Sequence, residues 1–243
     1  HGFNFILETY DVRFMESHQL EKGNLYKLIN QTTSWKQQQR YQAAYAPNNG
    51  RDHSTIENQL DGRDSADFIN AHVNLEKWNR WHALAEAIRH YDFWPSANKN
   101  MVYYFEPVYL PENNYNGKLW ILPWDTDASW GPTWNSGHDV VYNSLFSAAG
   151  GGADGNSTPE LWPAYFNEVR QLRDLLWQED QINPIIEAFA AQLEPMEKAD
   201  AARWKGSPSD AGTYSGIGGA GSSSIASLVR DMKNFAFSGG SWP

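Results

Sequence analysis

Residues 122–131 read LPWDTDASWG and place two carboxylates, Asp125 and Asp127, one residue apart directly after the apolar run KLWILPW. Upstream, MVYYFEPVYL has the aromatic and β-branched content of a strand, and Asn116-Gly117 between the two runs is a turn signal. The pair reads as an antiparallel β-hairpin with a long loop. Antiparallel strands start and finish at the same end, so Asn100, before the first strand, and Asp125, after the second, are expected to be neighbours. The loop that feeds the first strand begins at Asp92, which brings Asp92, Asn100, Asp125 and Asp127 together without a remote contact. Clustered carboxylates with an amide oxygen repel one another unless a hard cation lies among them. Oxygen-only ligation favours Mg2+, Mn2+ or Ca2+.

Working outward, Asp67 to His90 carries apolar residues at Val73, Leu75, Trp78, Trp81, Ala85 and Ile88, spacings that predict one amphipathic helix. HGFNFILETY and LYKLI read as strands, and TSWKQQQRYQAAY as a helix within a long polar excursion from Asn30 to Ala66. Residues 131–157 are expected to be irregular. Two helix starts are expected in the C-terminal third, at Thr158-Pro159-Glu160 and at Asn183-Pro184, each an N-cap followed by proline. Leu161, Tyr165, Val169, Leu172 and Leu176 make the first apolar stripe. SGIGGAGSSS, residues 215–224, reads as a loop before a last short helix; it lacks the lysine and the context of a phosphate loop.

The 243 residues are 41% hydrophobic and 14% aromatic, ample for a core, and carry a formal net charge of -10. Without a basic stripe, that charge argues against nucleic acid as the principal partner. No apolar run reaches the roughly 20 residues of a membrane span. The absence of cysteine removes disulfides, thiolate zinc sites and cysteine nucleophiles. An EF-hand does not fit, because its glycine position holds Trp130 and its terminal glutamate position Ser136. Histidine spacing gives no zinc motif, so His82 and His90 are read as packing or capping residues.

The order of parts (helix, loop with Asp and Asn, hairpin, metal-binding Asp) is that of the catalytic half of protein kinases, and His90-Tyr91-Asp92 echoes their His-Arg-Asp triplet. FILETYD (5–11), GNLYK (23–27), DFINAHVNLEKWNRWHALAEAIRHYD (67–92), NKNMVYYFEP (98–107), ILPWDTDASWG (121–131) and DAARW (200–204) together resemble the CotH kinase family, atypical kinase-like proteins named after spore coat protein H. The resemblance implies an α+β, divergent protein-kinase-like fold. It would be a single domain over 1–243, with 1–66 as the remnant of an incomplete N-terminal lobe plus an insertion, and 67–243 as the larger helical lobe with the catalytic hairpin. It implies transfer of the γ-phosphoryl group of ATP to Ser or Thr hydroxyls of a protein substrate.

By the same resemblance, Asp92 is the catalytic Asp and Asp125 the magnesium ligand. Asn100 is the second ligand, with Asn98 as the register alternative, and Asp127 either ligates or orients the site. Tyr26 is a candidate to stack on adenine. Lys27 either neutralises phosphate or is a solvated charge, and Glu8 either pairs with a lysine or lies on the surface. The family's tryptophan six residues before the metal Asp is here Leu119, with Trp120 one place on as the candidate nucleotide contact.

The basic segment that supplies the family's phosphate-binding lysine is expected upstream of this chain, which opens within a hydrophobic run. A secreted, cell-surface or spore-associated location follows from the resemblance alone. The runner-up is a non-catalytic pseudokinase or extracellular binding module whose carboxylates hold structural calcium. A glycan-binding module presenting Trp35, Trp94, Trp134 or Trp242 is a third class.

Overall fold

The computed structural model describes Glu8 and residues 10–21, 23–27, 39–42, 66–90, 102–106, 117–126, 129–130, 159–204 and 224–239. Of the strand expected over residues 1–10 only Glu8 and Tyr10 are described, neither of them in a strand, and the irregular segment expected over 131–157 lies outside the described residues. In chain order the elements are α1 (Val12–Ser17), β1 (Asn24–Lys27), β2 (Gln39–Gln42), α2 (Ala66–His72), α3 (Leu75–Ala87), β3 (Val102–Phe105) and β4 (Leu119–Leu122). A 3-10 turn (Pro159–Leu161), α4 (Trp162–Leu175), α5 (Glu179–Trp204), α6 (Ile225–Asn234) and a π-helical turn (Phe235–Gly239) follow. The architecture is α+β, mostly helical.

One antiparallel sheet with strand order β2-β1-β3-β4 forms the centre. The hairpin is as the sequence predicts, with Val102 opposite Leu122 and Phe105 opposite Leu119. Its strands read as unbroken apolar runs because both faces are covered. Tyr103, Phe105, Leu119 and Ile121 face Ile69, Val73, Trp78, Trp81, Leu161 and Tyr165. Val102, Tyr104 and Leu122 face Tyr10 and Met15, with Phe14, Trp120 and Trp124 packed alongside. At the edge of that second face, Asp11 caps α1 by accepting from the backbone N–H groups of Arg13 (2.8 Å) and Phe14 (3.1 Å).

Three sequence expectations are corrected. The single helix expected over 67–90 is two, because Val73 leaves the helix to bridge Leu119, and the Asn74 N–H bonds the Leu119 carbonyl at 2.9 Å. Asn74 then caps α3 by accepting from the Lys77 N–H. The apolar periodicity runs through the break because both helices cover the same sheet face. Of the helix expected over residues 33–45 only 39–42 are described, and these form strand β2, paired with β1 across a bulge at Leu25/Tyr26. Here an open sheet edge outweighs the helix propensity of a glutamine-rich run. Finally, α5 does not start at Pro184 but at Glu179, with Pro184 and Pro195 inside it. Burial of Trp177, Ile182 and Ile186 at the α4–α5 corner offsets the hydrogen bond that Pro184 forfeits. α4 begins close to expectation, with proline in its first turn, and α6 is the expected last short helix, capped by Ser224.

Candidate active site at the end of the hairpin

Pro123, Trp124 and Asp125 leave β4 at the end of the sheet shared with Val102 and Lys27, since Lys27 pairs with Val102 and Val102 with Leu122. Two strand spacings, about 10 Å, therefore separate the backbones of Lys27 and Leu122. Tyr10 donates its hydroxyl to the Pro123 carbonyl and packs its ring 5.6 Å from that of Trp124. Burial, with the nearby Glu8 charge, pushes the Tyr10 phenol up to about 12, so it remains a donor.

From the other side, His90 donates Nε2–H to the Trp124 carbonyl at 3.1 Å. His90 is buried beside Trp81, their rings edge to face at 6.0 Å. The strap that carries Asp125 is pinned again at its far end, where the Trp130 N–H bonds the Ile88 carbonyl at 2.7 Å. Within it Ser129 Oγ donates to the Thr126 carbonyl at 2.7 Å. The strap thus spans from His90 to Ile88, residues that lie just before Asp92 in the sequence.

Four described non-glycine residues have positive φ: Gln19 (56°), Arg89 (51°), Asp125 (57°) and Trp130 (66°). Three of them lie on this strap or on the helix end it is tied to. Left-handed backbone costs energy in any residue with a Cβ and persists only where surrounding contacts enforce it. Asp125 itself is exposed at the surface of this arrangement.

The other sequence candidates fall variously. Asp92, Asn98, Asn100 and Asp127 lie outside the described residues. Tyr26 and Lys27 lie in β1, opposite Tyr103 and Val102. Trp120 donates its indole N–H to Glu106 Oε1 at 2.8 Å, toward the end of the hairpin away from Asp125, with the Lys77 ammonium 5.7 Å from its ring. Glu8 is exposed; it accepts from Ser17 Oγ at 3.2 Å and pairs with His18 Nε2 at 3.0 Å. The hydrogen bond from His18 holds its carboxyl below the usual range. His82 is a packed core residue: Nδ1–H donates to the Trp78 carbonyl at 2.8 Å, the rings stack at 4.7 Å, and burial lowers its pKa to about 4.

The chain matches the family model described as CotH kinase protein over residues 1–237. It belongs to the CotH kinase family. No curated protein matches it. In this CotH chain the motif Pro-Trp-Asp-x-Asp is the strap just described, and its tryptophan carbonyl is the acceptor for His90. Sequence reasoning missed Tyr10 and Trp130 as the residues that fix the strap. A bulky residue directly before Gly131 was the available signal for Trp130. Among the described residues no group of three histidine, cysteine or acidic side chains could hold a metal, and no helix is long and apolar enough to cross a membrane. Asp125 suits a hard cation by its chemistry: an exposed carboxylate on enforced backbone at a sheet end.

Proposed function

We propose that the chain is an atypical protein kinase of divergent kinase-like fold that moves the γ-phosphoryl group of ATP to Ser or Thr hydroxyls of a protein. The supporting observation is the double attachment of the Asp125 strap to Ile88 and His90. It links, through described residues, the segment that precedes Asp92 to the carboxylate that follows β4.

In this reading Asp125, Asn100 (or Asn98) and Asp127 are the residues that would hold Mg2+, or Mn2+ in its place. The bound ion would supply charge neutralisation for the phosphates of ATP. Asp92 orients the acceptor hydroxyl and takes its proton. His90 fixes the carbonyl before Asp125, and Tyr10 the one before that, so the metal-binding carboxylate is presented without reorganisation. Lys27 ends the strand row that also ends at Leu122 and is assigned to phosphate, Tyr26 to the adenine ring. Trp120 and Glu8 would border the nucleotide rather than contact the phosphates. Rate enhancement comes from positioning and electrostatics and needs no covalent intermediate.

The test is incorporation of label from γ-labelled ATP into casein and into the chain itself, in the presence of Mg2+. Asp92→Ala is expected to bind Mg-ATP and to lose transfer by a factor of 100 or more, on the order of a lost general base. Asp125→Ala is expected to lose both. Full transfer by Asp92→Ala would remove its catalytic assignment. Transfer absent from the wild type, with stabilisation by Ca2+ alone, would favour the non-catalytic reading.

A further inference from the structure

Beyond its hydrogen bonds, the strap has an aromatic attachment that the phosphotransfer chemistry does not itself require. The Trp130 ring stacks on Trp177, centroids 5.5 Å apart and planes within 8°. It also meets Phe235 edge to face at 6.3 Å. Trp177 is buried at the α4–α5 corner and donates its indole N–H to the Ala236 carbonyl at 3.2 Å. Arg89, the left-handed residue between Ile88 and His90, lies with its guanidinium 6.0 Å from the Phe235 ring. Ile88, Trp177, Ile182, Ile186 and Ala236 form one core cluster, and Trp130 packs against it. The C-terminal helices therefore grip the strap at Trp130, five residues after Asp125.

From this we infer that Trp130 is a positioning residue for the Asp125 carboxylate, held by Trp177 and the π-helical turn. The inference rests on the reading of Asp125 as a metal ligand. Two left-handed residues, at 57° and 66°, bracket the strap, and neither is the conformation a free Asp or Trp prefers. Hydrogen bonds fix the Trp124 carbonyl and the Trp130 N–H, but one backbone bond cannot set the direction in which the strap leaves Ile88. The flat ring wedged against Trp177 sets it, because rotation about the Trp130 backbone would break the stack and the Phe235 contact together. Without the ring the strap relaxes toward ordinary φ, and the Asp125 carboxylate is no longer presented in one orientation. The consequence is weaker metal binding with an intact fold.

The test measures Mn2+ affinity by calorimetry, without nucleotide or turnover, for the wild type, Trp130→Leu, Trp130→Phe and Asp125→Asn. Trp130→Leu fills the space without a ring face and is expected to weaken Mn2+ binding by roughly three- to tenfold, the span that one aromatic pair can supply. Trp130→Phe, which still stacks on Trp177, is expected to stay within about twofold of the wild type, a rescue that mere loss of packing volume would not give. A folded Trp130→Leu with wild-type affinity, while Asp125→Asn has lost binding, overturns the positioning role and leaves the metal reading standing. Wild-type affinity in Asp125→Asn overturns both. Should Trp130→Leu fail to fold, Trp177→Phe and Trp177→Leu carry the same comparison from the other face of the stack.

Discussion

Gly23 shows how little room the sheet leaves beside β1: a Cβ there would meet the Phe105 carbonyl oxygen and the Tyr104 ring. Since the first of these is backbone on a paired strand, Gly23→Ala forces the sheet apart and should cost about 3 kcal/mol, read from a urea midpoint. His82 carries a different prediction. Its folded pKa is about 4, against an ordinary value of 6.5, because burial disfavours the charged ring. Between those values the unfolded chain binds a proton that the native state refuses. Stability should therefore fall as the pH drops from about 6.5 to about 4, by up to about 3 kcal/mol, and this group should contribute no slope above that window. His82→Phe, which keeps a ring against Trp78, should flatten that slope in thermal unfolding followed across the window. At this scale the sequence singles out Asp125 and is silent about Tyr10. Asp-x-Asp after an apolar strand is a local pattern, whereas the Tyr10 hydroxyl reaches the Pro123 carbonyl only after the chain has folded.

Among the elements, the hairpin and the α4 stripe were legible because their periods are short and their partners adjacent. The end of α2 was not, since Val73 stops being helical only by pairing with Leu119, which lies on another strand. Asn74 was the available clue, a capping residue inside an apolar stripe. Removing its side chain in Asn74→Ala should destabilise the protein by about 1 kcal/mol without altering Asp125 chemistry, as a urea titration alongside Mn2+ binding would show. β2 was read as a helix because glutamine-rich segments favour one in isolation, and only the exposed edge of β1 explains why it pairs. The α5 start misled through Pro184: proline marks a first turn when local preference decides, and here a buried Trp177 and Ile182 decide instead.

For the whole molecule, the sheet sits between α1 on one face and α2, α3 and α4 on the other. A third cluster joins the C-terminal helices to Ile88 and Trp130. That cluster ties the strap that carries Asp125 to residues as far along the chain as Ala236. Family membership was legible from ordered motifs along most of the chain, and the match over residues 1–237 establishes it. The central claim, that Asp125 anchors a metal–nucleotide site, is tested most directly by thermal unfolding with Mg2+ and ATP, separately and together, for the wild type and Asp125→Ala. At a hundredfold saturation a site binding only the folded state adds about 2.7 kcal/mol, or roughly 5 to 10 °C for a domain of this size. The account predicts a shift that is largest with both ligands together and disappears in Asp125→Ala. An equal shift in the variant, or none in the wild type at saturating Mg-ATP, would contradict it.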